Sequence, residues 1–202
     1  SYAPGAKNQE LSMNIKNLVN DAYAKDISAK ERAAKRIVQK NGEYVGSTAP
    51  YGYCVEKVNG IYKLIVEPES AKIVRRIFEE YASGDGIQSI IDRLFEDGVH
   101  RISDYNQYHH VYCQDGENLH QWGNSSIRAV LNRNNYYGDL VQRKYESRFQ
   151  RGEKWCDILD ESQWIITPNA HEPIISRELF DKAQIRLKAA QQKATKTTEG
   201  WE

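Results

Sequence analysis

The strongest constraint on the fold is a helical pattern over residues 13–41 that is stopped by Gly42. Ser12 stands where an N-cap belongs, and Gly42 suits the position just past the last turn, where a left-handed backbone favours glycine. Ile15, Leu18, Val19 and Ala22 form an apolar stripe in the first half. Ala33, Ala34, Ile37 and Val38 lie among positive charges in the second. At ~1.5 Å per residue this helix is roughly 40 Å long, more than a domain of this size can cover. Such a helix usually packs against a partner chain or another domain. Ser28 to Glu31 also fits a capping box, which allows a break near Asp26.

Shorter elements follow. Residues 52–58 and 61–66 are joined by Asn59-Gly60, a two-residue turn that predicts a β-hairpin. Pro68 opens a helix over 68–83 stopped by Gly84, with Ile73, Val74, Ile77, Phe78 and Tyr81 at helical spacing. Asp85 is placed to cap a helix over 87–97, with Ile87, Ile90, Ile91, Leu94 and Phe95 inward. A polar, aromatic stretch over 99–123 reads as a loop. Asn124 or Ser125 then caps a helix to about Arg133, burying Ile127, Val130 and Leu131. Strands are expected at 138–145 and 164–167, and a basic helix capped by Ser176 runs to about Thr195. The pattern predicts an α+β fold of helices with small β-hairpins, preceded by the long helix.

No apolar run reaches the ~18 residues of a membrane span, and there is no signal-peptide core, so the expected location is the cytoplasm and no membrane partner is expected. Cys54, Cys113 and Cys156 are too sparse for a disulfide framework or a zinc ribbon. The 28 basic and 28 acidic residues cancel, whereas nucleic-acid binders usually carry a basic excess. The charges are nonetheless segregated. Residues 28–40 hold Lys30, Arg32, Lys35, Arg36 and Lys40 against Glu31. Residues 128–154 hold Arg128, Arg133, Arg143, Lys144, Arg148, Arg151 and Lys154 against Asp139, Glu146 and Glu153. Acids concentrate in 67–97 and 157–181. Basic faces of this kind can hold a phosphate backbone, although solvated helix surface has the same composition.

Two short amphipathic helices, the second opening Asn124-Ser125-Ser126, have the layout of a helix-turn-helix. In that unit the first helix braces the second, whose N-terminal residues enter the major groove. Small hydroxyl and amide side chains there permit close approach, and Arg128 and Arg133 can reach guanine edges or phosphates. Arg143 and Lys144, on the strand that follows, suit a wing on the DNA backbone. The linker over 99–123 is far longer than the usual tight turn.

Several segments resemble a known family. Ala49-Pro50-Tyr51-Gly52-Tyr53, Leu64-Ile65-Val66-Glu67-Pro68-Glu69 and Ile73-Val74-Arg75-Arg76-Ile77-Phe78-Glu79 resemble the opening of the recombinase domain of large serine recombinases. Trp122, Ser125-Ser126-Ile127-Arg128, Leu131-Asn132-Arg133-Asn134 and Tyr137-Gly138 resemble its middle. His171-Glu172-Pro173-Ile174-Ile175-Ser176 with Leu179-Phe180 resembles its close. Upstream, Tyr23-Ala24-Lys25-Asp26-Ile27-Ser28-Ala29-Lys30 resembles the helix that joins the catalytic and DNA-binding domains in the mobile-element branch of Gram-positive bacteria. The ordered set spans residues 11–184.

The resemblance implies a protein that cuts and rejoins two DNA sites through a phosphoserine intermediate, as a tetramer built from two site-bound dimers. It implies a connecting helix over 1–41 and a mostly helical recombinase domain with a helix-turn-helix-like core over 42–202. The family's catalytic domain and its cysteine-bearing zinc ribbon have no counterpart in these residues. No catalytic residue, metal ligand or cofactor is therefore expected, and the fragment itself is not expected to be an enzyme. The implied partner is double-stranded DNA at a recombination half-site. The joining helix (Lys30, Arg36, Lys40) and the 45–53 segment (Tyr51, Tyr53) are expected along the minor groove and backbone. Asn124, Ser125, Ser126, Arg128 and Arg133 are expected in the major groove. Arg143, Lys144, Arg148 and Arg151 complete the basic set. A winged-helix regulator and a protein-interaction module are the rival readings.

Other features have ordinary readings. His109, His110, Cys113 and His120 invite a zinc reading, but their spacing fits no common finger and a polar loop explains them better. Ser125 and Ser126 lack the neighbouring base that a nucleophile needs. Alternation predicts that one of Tyr51 and Tyr53 faces inward and the other outward. His171-Glu172-Pro173 reads as an ordered turn, and the cations over 182–196 as a solvated stripe.

Overall fold

The computed structural model describes residues 4–147 and 156–199, and the chain divides into two compact units. The smaller comprises Ser1–Val45 and Gln142–Ile165; the larger comprises Gly46–Val141 and Ile166–Glu202. The α+β class is borne out: among the described residues six α-helices are accompanied by two-stranded β pairings. Among the described residues no helix is long and apolar enough to cross a membrane.

In the smaller unit, helix α1 (Pro4–Lys40) is one unbroken element. It starts well before the expected cap, so Ser12 lies inside it, and Asp26 marks no break. Instead Asp26 pairs with Lys30 at 2.8 Å, one turn on, as Asp21 does with Lys25 at 3.0 Å. Such i,i+4 pairs favour continuing the helix over capping a new one. Gly42, at φ +77°, ends it as expected, its N–H donating to the Gln39 carbonyl. Ile15, Leu18 and Val19 are exposed. The Gln142 amide then fixes the segment after the helix, donating to the Glu43 carbonyl (2.9 Å) and accepting from the Val45 N–H (3.2 Å).

The larger unit opens with a hairpin of β1 (Tyr53–Val58) and β2 (Ile61–Val66), in register from Tyr53↔Val66 to Val58↔Ile61. Asn59 and Gly60 both take positive φ, as a two-residue turn between twisted strands requires. Helix α2 (Pro68–Ser83) is capped by the Glu67 carboxylate, which accepts from the Ser70 N–H at 2.7 Å. Helix α3 (Ile87–Glu96) begins at Gly86 without a side-chain cap. Asp85 does not cap it; its carboxylate accepts from Arg93 instead. Phe95, expected inward, is 41% exposed.

The 99–123 stretch is more ordered than the loop the sequence suggested. An antiparallel bridge between Val99 and Tyr112 closes it, and helix α4 (Ile102–Tyr108) lies within. That helix has few apolar side chains, so periodicity did not betray it. Helix α5 (Asn124–Leu131) follows Gly123, which supplies the N-cap in place of Asn124 or Ser125. Its buried face is the expected Ile127, Val130 and Leu131.

The single strand expected over 138–145 is two short ones, β3 (Leu140–Gln142) and β4 (Tyr145–Ser147), because Arg143 takes φ +57° between them. β4 pairs with β5 (Cys156–Ile158), and β3 with β6 (Ile165–Thr167). Helix α6 (Arg177–Glu199) starts as expected, with Ser176 Oγ accepting from the Leu179 N–H at 3.2 Å, and passes Thr195. All three cysteines are free thiols.

Helix α2 packs against α3, α5 and α6, and its residues Val74, Ile77 and Phe78 are fully buried. Tyr51 and Tyr53 join this core together, which corrects the expected alternation. The chain turns between them, the Tyr53 N–H donating to the Pro50 carbonyl while Gly52 takes φ +95°. Residues two apart share a face even on a strand, so alternation gave no ground for splitting the pair, and the turn at Gly52 keeps both rings on the core side. Tyr51 sits edge-on to Tyr105 (5.0 Å) and Trp122 (5.5 Å). Tyr53 donates to the Glu172 carbonyl at 2.9 Å and meets His171 edge-on at 4.9 Å. His171-Glu172-Pro173 is the ordered turn expected, with His171 Nε2 donating to the Asn135 carbonyl at 2.7 Å.

A Cβ at Gly52 would lie 2.8 Å from Ile174 Cδ1 and 3.0 Å from Val74 Cγ2, on a backbone that disfavours L side chains. Gly52→Ala is expected to cost roughly 2 kcal/mol or more in chemical denaturation. Burial holds the His171 pKa below its ordinary 6.5, outweighing the Asn135 hydrogen bond. The unfolded chain therefore takes up the proton first, and stability falls as pH drops below about 6.5. The melting temperature should decline from about pH 7.5 to about pH 5.5, and His171→Asn should flatten that decline.

Candidate nucleic-acid interface

The larger unit spends most of its arginines on its own framework. Arg76 donates to Glu80 (2.7 Å) and Asp97 (2.6 Å), Arg93 to Asp85 (2.5 Å) and Glu80 (3.0 Å), and Arg101 to Asp104 (3.1 Å). Arg75 donates to the Ile174 carbonyl at 3.2 Å. Arg177 approaches Asp139 at 3.4 Å while lying over the Tyr137 ring. Arg186 caps the end of α2, donating to the carbonyls of Tyr81, Gly84 and Asp85 with its guanidinium over the Tyr81 ring.

Arg128 and Arg133 are different. Both are exposed, and neither meets a carboxylate among the described residues. Arg128 Nε donates to Asn124 Oδ1 at 2.9 Å, one turn earlier on α5, and the Asn132 amide donates to the Arg128 carbonyl at 2.8 Å. Asn124, Ser125, Arg128, Ala129, Asn132 and Arg133 are all exposed, while Ser126 is half-buried. The face opposite the core thus carries amides, a hydroxyl, a methyl and two cations that meet no carboxylate among the described residues. Those are the groups that read base edges and grip phosphates.

Beside that face, Ala129 and Arg133 share a depression with Thr48, Ala49, Asn106 and the edge of Tyr51. In the 45–53 segment the Tyr51 and Tyr53 rings are buried, whereas Ser47 and Thr48 are exposed.

The smaller unit carries a groove lined by Arg32, Lys35, Arg36 and Gln39 of α1 with Arg143, Lys144, Tyr145 and Glu146. The α1 residues recur at i, i+3, i+4 and i+7, which puts them on one stripe. Glu146 accepts from Arg36 at 3.2 Å and lies 3.7 Å from Arg143. Lys144 Nζ lies over the Trp164 ring at 4.8 Å. Among the described lining residues one carboxylate stands with five cations. The groove brings Arg36 of the joining helix together with Arg143 and Lys144, a grouping the sequence did not indicate, and adds Arg32 and Lys35, which were not among the expected DNA contacts. Lys30 and Lys40 do not line the groove; Lys30 lies on the other side of the helix and is tied to Asp26. Arg148 and Arg151 lie outside the described residues.

Three of the four imidazoles of the 99–123 stretch meet carboxylates, and the fourth, His109, is exposed. His120 Nδ1 lies 3.0 Å from Asp104 Oδ2, while His110 meets His100 and Glu117. His100 and Glu117 had no motif to reveal them.

The model of the family described as Recombinase matches residues 68–190. The chain belongs to the Recombinase family. That match bears out the resemblance seen in the sequence, and it includes α2 to α5 and most of α6. Among solved structures, this Recombinase chain is similar to one in a crystal structure of an LSR–DNA complex, at 18% identity and a TM-score of 0.49, over 79% of this chain and 39% of that one. It is likewise similar to a chain from a structure on the sequence requirements of the Listeria innocua prophage attP site, at 18% identity and a TM-score of 0.47, over 79% of this chain and 51% of that one. The chain spans about two fifths and one half of the lengths of these two proteins.

The division of arginines is measurable. Arg128→Ala and Arg133→Ala should each change unfolding free energy by less than about 0.5 kcal/mol, as surface substitutions do. Arg186→Ala, which strips a charged donor from three carbonyls, should cost roughly 2 kcal/mol. Urea denaturation of the three variants checks both expectations.

Proposed function

We propose that this chain is the DNA-binding part of a site-specific serine recombinase that integrates or excises a mobile element. In this reading residues 1–41 connect to a catalytic domain and residues 42–202 are the recombinase DNA-binding domain. Strand cutting belongs to that catalytic domain, and the fragment itself performs no catalysis. The parent protein works in the cytoplasm as dimers on half-sites that pair into a tetramer. No cofactor is required for the DNA contact.

The observation that carries the reading is the Arg128–Arg133 face of α5, whose cations meet no carboxylate among the described residues, in a unit whose other arginines are held by acids or carbonyls. The α5 face enters the major groove, and Arg128, already aligned by Asn124, reads a base edge. The basic groove of the smaller unit holds phosphates through Arg32, Lys35, Arg36, Arg143 and Lys144. Family membership supports the same conclusion. Net neutrality is no obstacle, because Glu80, Asp85, Asp97, Asp104 and Asp139 are paired with framework arginines and not with those of the α5 face.

Fluorescence anisotropy with duplexes carrying the element's end sequences tests the proposal. Affinity should fall steeply and log-linearly as salt rises, since each neutralised phosphate releases counterions. Arg128→Ala should cut discrimination between cognate and scrambled duplexes by ~1–3 kcal/mol. Arg143→Ala should weaken both duplexes alike and lower the salt slope by about one. Absent or salt-insensitive binding refutes the proposal, and equal losses in both variants move Arg128 to the backbone.

A further inference from the structure

The 99–123 stretch of the larger unit brings together side chains that the DNA reading does not use. The Val99–Tyr112 bridge, flanked by His100 N–H to the Val111 carbonyl (2.8 Å) and Cys113 N–H to the Gly98 carbonyl (2.8 Å), sets His100 beside the later part of the excursion. Glu117 then folds back over it. His100 Nε2 lies 3.0 Å and His110 Nε2 2.9 Å from the same Glu117 oxygen, Oε2. The Gln114 N–H also donates to that oxygen, at 2.9 Å.

Three features mark this as more than a chance contact. His100 is completely buried, and its Nδ1 has no hydrogen-bond partner, so Glu117 is the ring's only polar anchor. The donor atoms of His100, His110 and Glu117 all lie within 4.8 Å of one another. Tyr108 shields them, its ring stacked on His100 at 5.1 Å and tilted against His110 at 5.9 Å. Metal–ligand bonds of about 2.0–2.1 Å in a tetrahedron place neighbouring donor atoms about 3.3 Å apart. The Nε2–Oε2 spacings need to open by only a few tenths of an ångström to admit an ion.

We propose that His100, His110 and Glu117 bind one divalent transition-metal ion of the zinc class, which clasps the 99–123 excursion shut ahead of α5. Two imidazoles and a carboxylate suit zinc, cobalt or nickel, whereas magnesium and calcium prefer an all-oxygen set. His110 is partly exposed, so water completes the fourth position. Each ring binds the ion through Nε2 in its Nδ1–H tautomer, so the hydrogens that the Nε2 atoms now direct at Glu117 shift to Nδ1 and each neutral imidazole keeps its single proton. The role is structural and is independent of DNA binding.

The test uses the tag-free 202-residue chain, cleared of metal by a chelator and titrated with Co²⁺ and Zn²⁺. One equivalent of Co²⁺ should give the visible absorption of a four-coordinate site, which Zn²⁺ displaces. Zn²⁺ should also raise the melting temperature, and Mg²⁺ should not. His110→Asn and Glu117→Gln, both partly exposed and both checked for unchanged helicity by circular dichroism, should each weaken binding by more than the 10–100-fold typical of losing an outer-shell partner. Absence of stoichiometric Co²⁺ or Zn²⁺ binding overturns the proposal. So does a site that survives in either variant.

Discussion

Tyr136 holds the larger unit together. Its ring is wholly buried against Phe78 and Tyr53, and its hydroxyl donates to the Tyr51 carbonyl at 2.9 Å. Its own carbonyl accepts from the N–H groups of Ile174 and Ile175 at 2.9 and 3.1 Å. One residue thereby ties the turn before the hairpin, the 3₁₀ turn Asn134–Tyr137 and the turn before α6. Burial pushes its phenol well above the ordinary range, so the hydroxyl remains a donor at any working pH. Leaving such a buried acceptor unsatisfied costs about 1–3 kcal/mol. The 3₁₀ turn comes directly after α5, so this anchor also fixes where that helix ends. The exposed arginines inherit their placement from it.

The second organising principle is how charge is used. Zero net charge says little about a surface when the cations differ in employment. Asp85, Asp97 and Glu80 are all engaged by arginines of α2 and α3. Such bridges cancel locally and steady the framework. Each contributes little by itself, since most are partly exposed. Together they leave the field outside α5 to Arg128 and Arg133.

Much of this could be read in the sequence. The hairpin was legible because Asn59-Gly60 admits essentially one turn, and α2 because proline, glycine and apolar spacing agree. The buried face of α5 followed from periodicity alone. The misses have physical reasons too. Helix α4 is stabilised by its closed excursion rather than by an apolar stripe. Tyr51 and Tyr53 share one side because residues two apart face the same way even where the backbone is extended, so alternation gave no ground for splitting them. The grouping of 142–165 with the long helix carries no local signature, since contacts such as Gln142 with Glu43 join residues far apart in sequence. The His100–His110–Glu117 cluster escaped notice for the same reason. Of the proposed DNA contacts, the α5 set and Arg36, Arg143 and Lys144 lie on exposed or partly exposed surfaces, whereas the tyrosines do not.

The continuity of α1 has a mechanical consequence. A helix of 37 residues is a rod of about 55 Å, and residues 12–27 lie bare along it. Tilting its Lys40 end by about 10° swings the far end through about 10 Å, without any residue leaving helical geometry. Small adjustments at the base are geared up into large excursions at the tip.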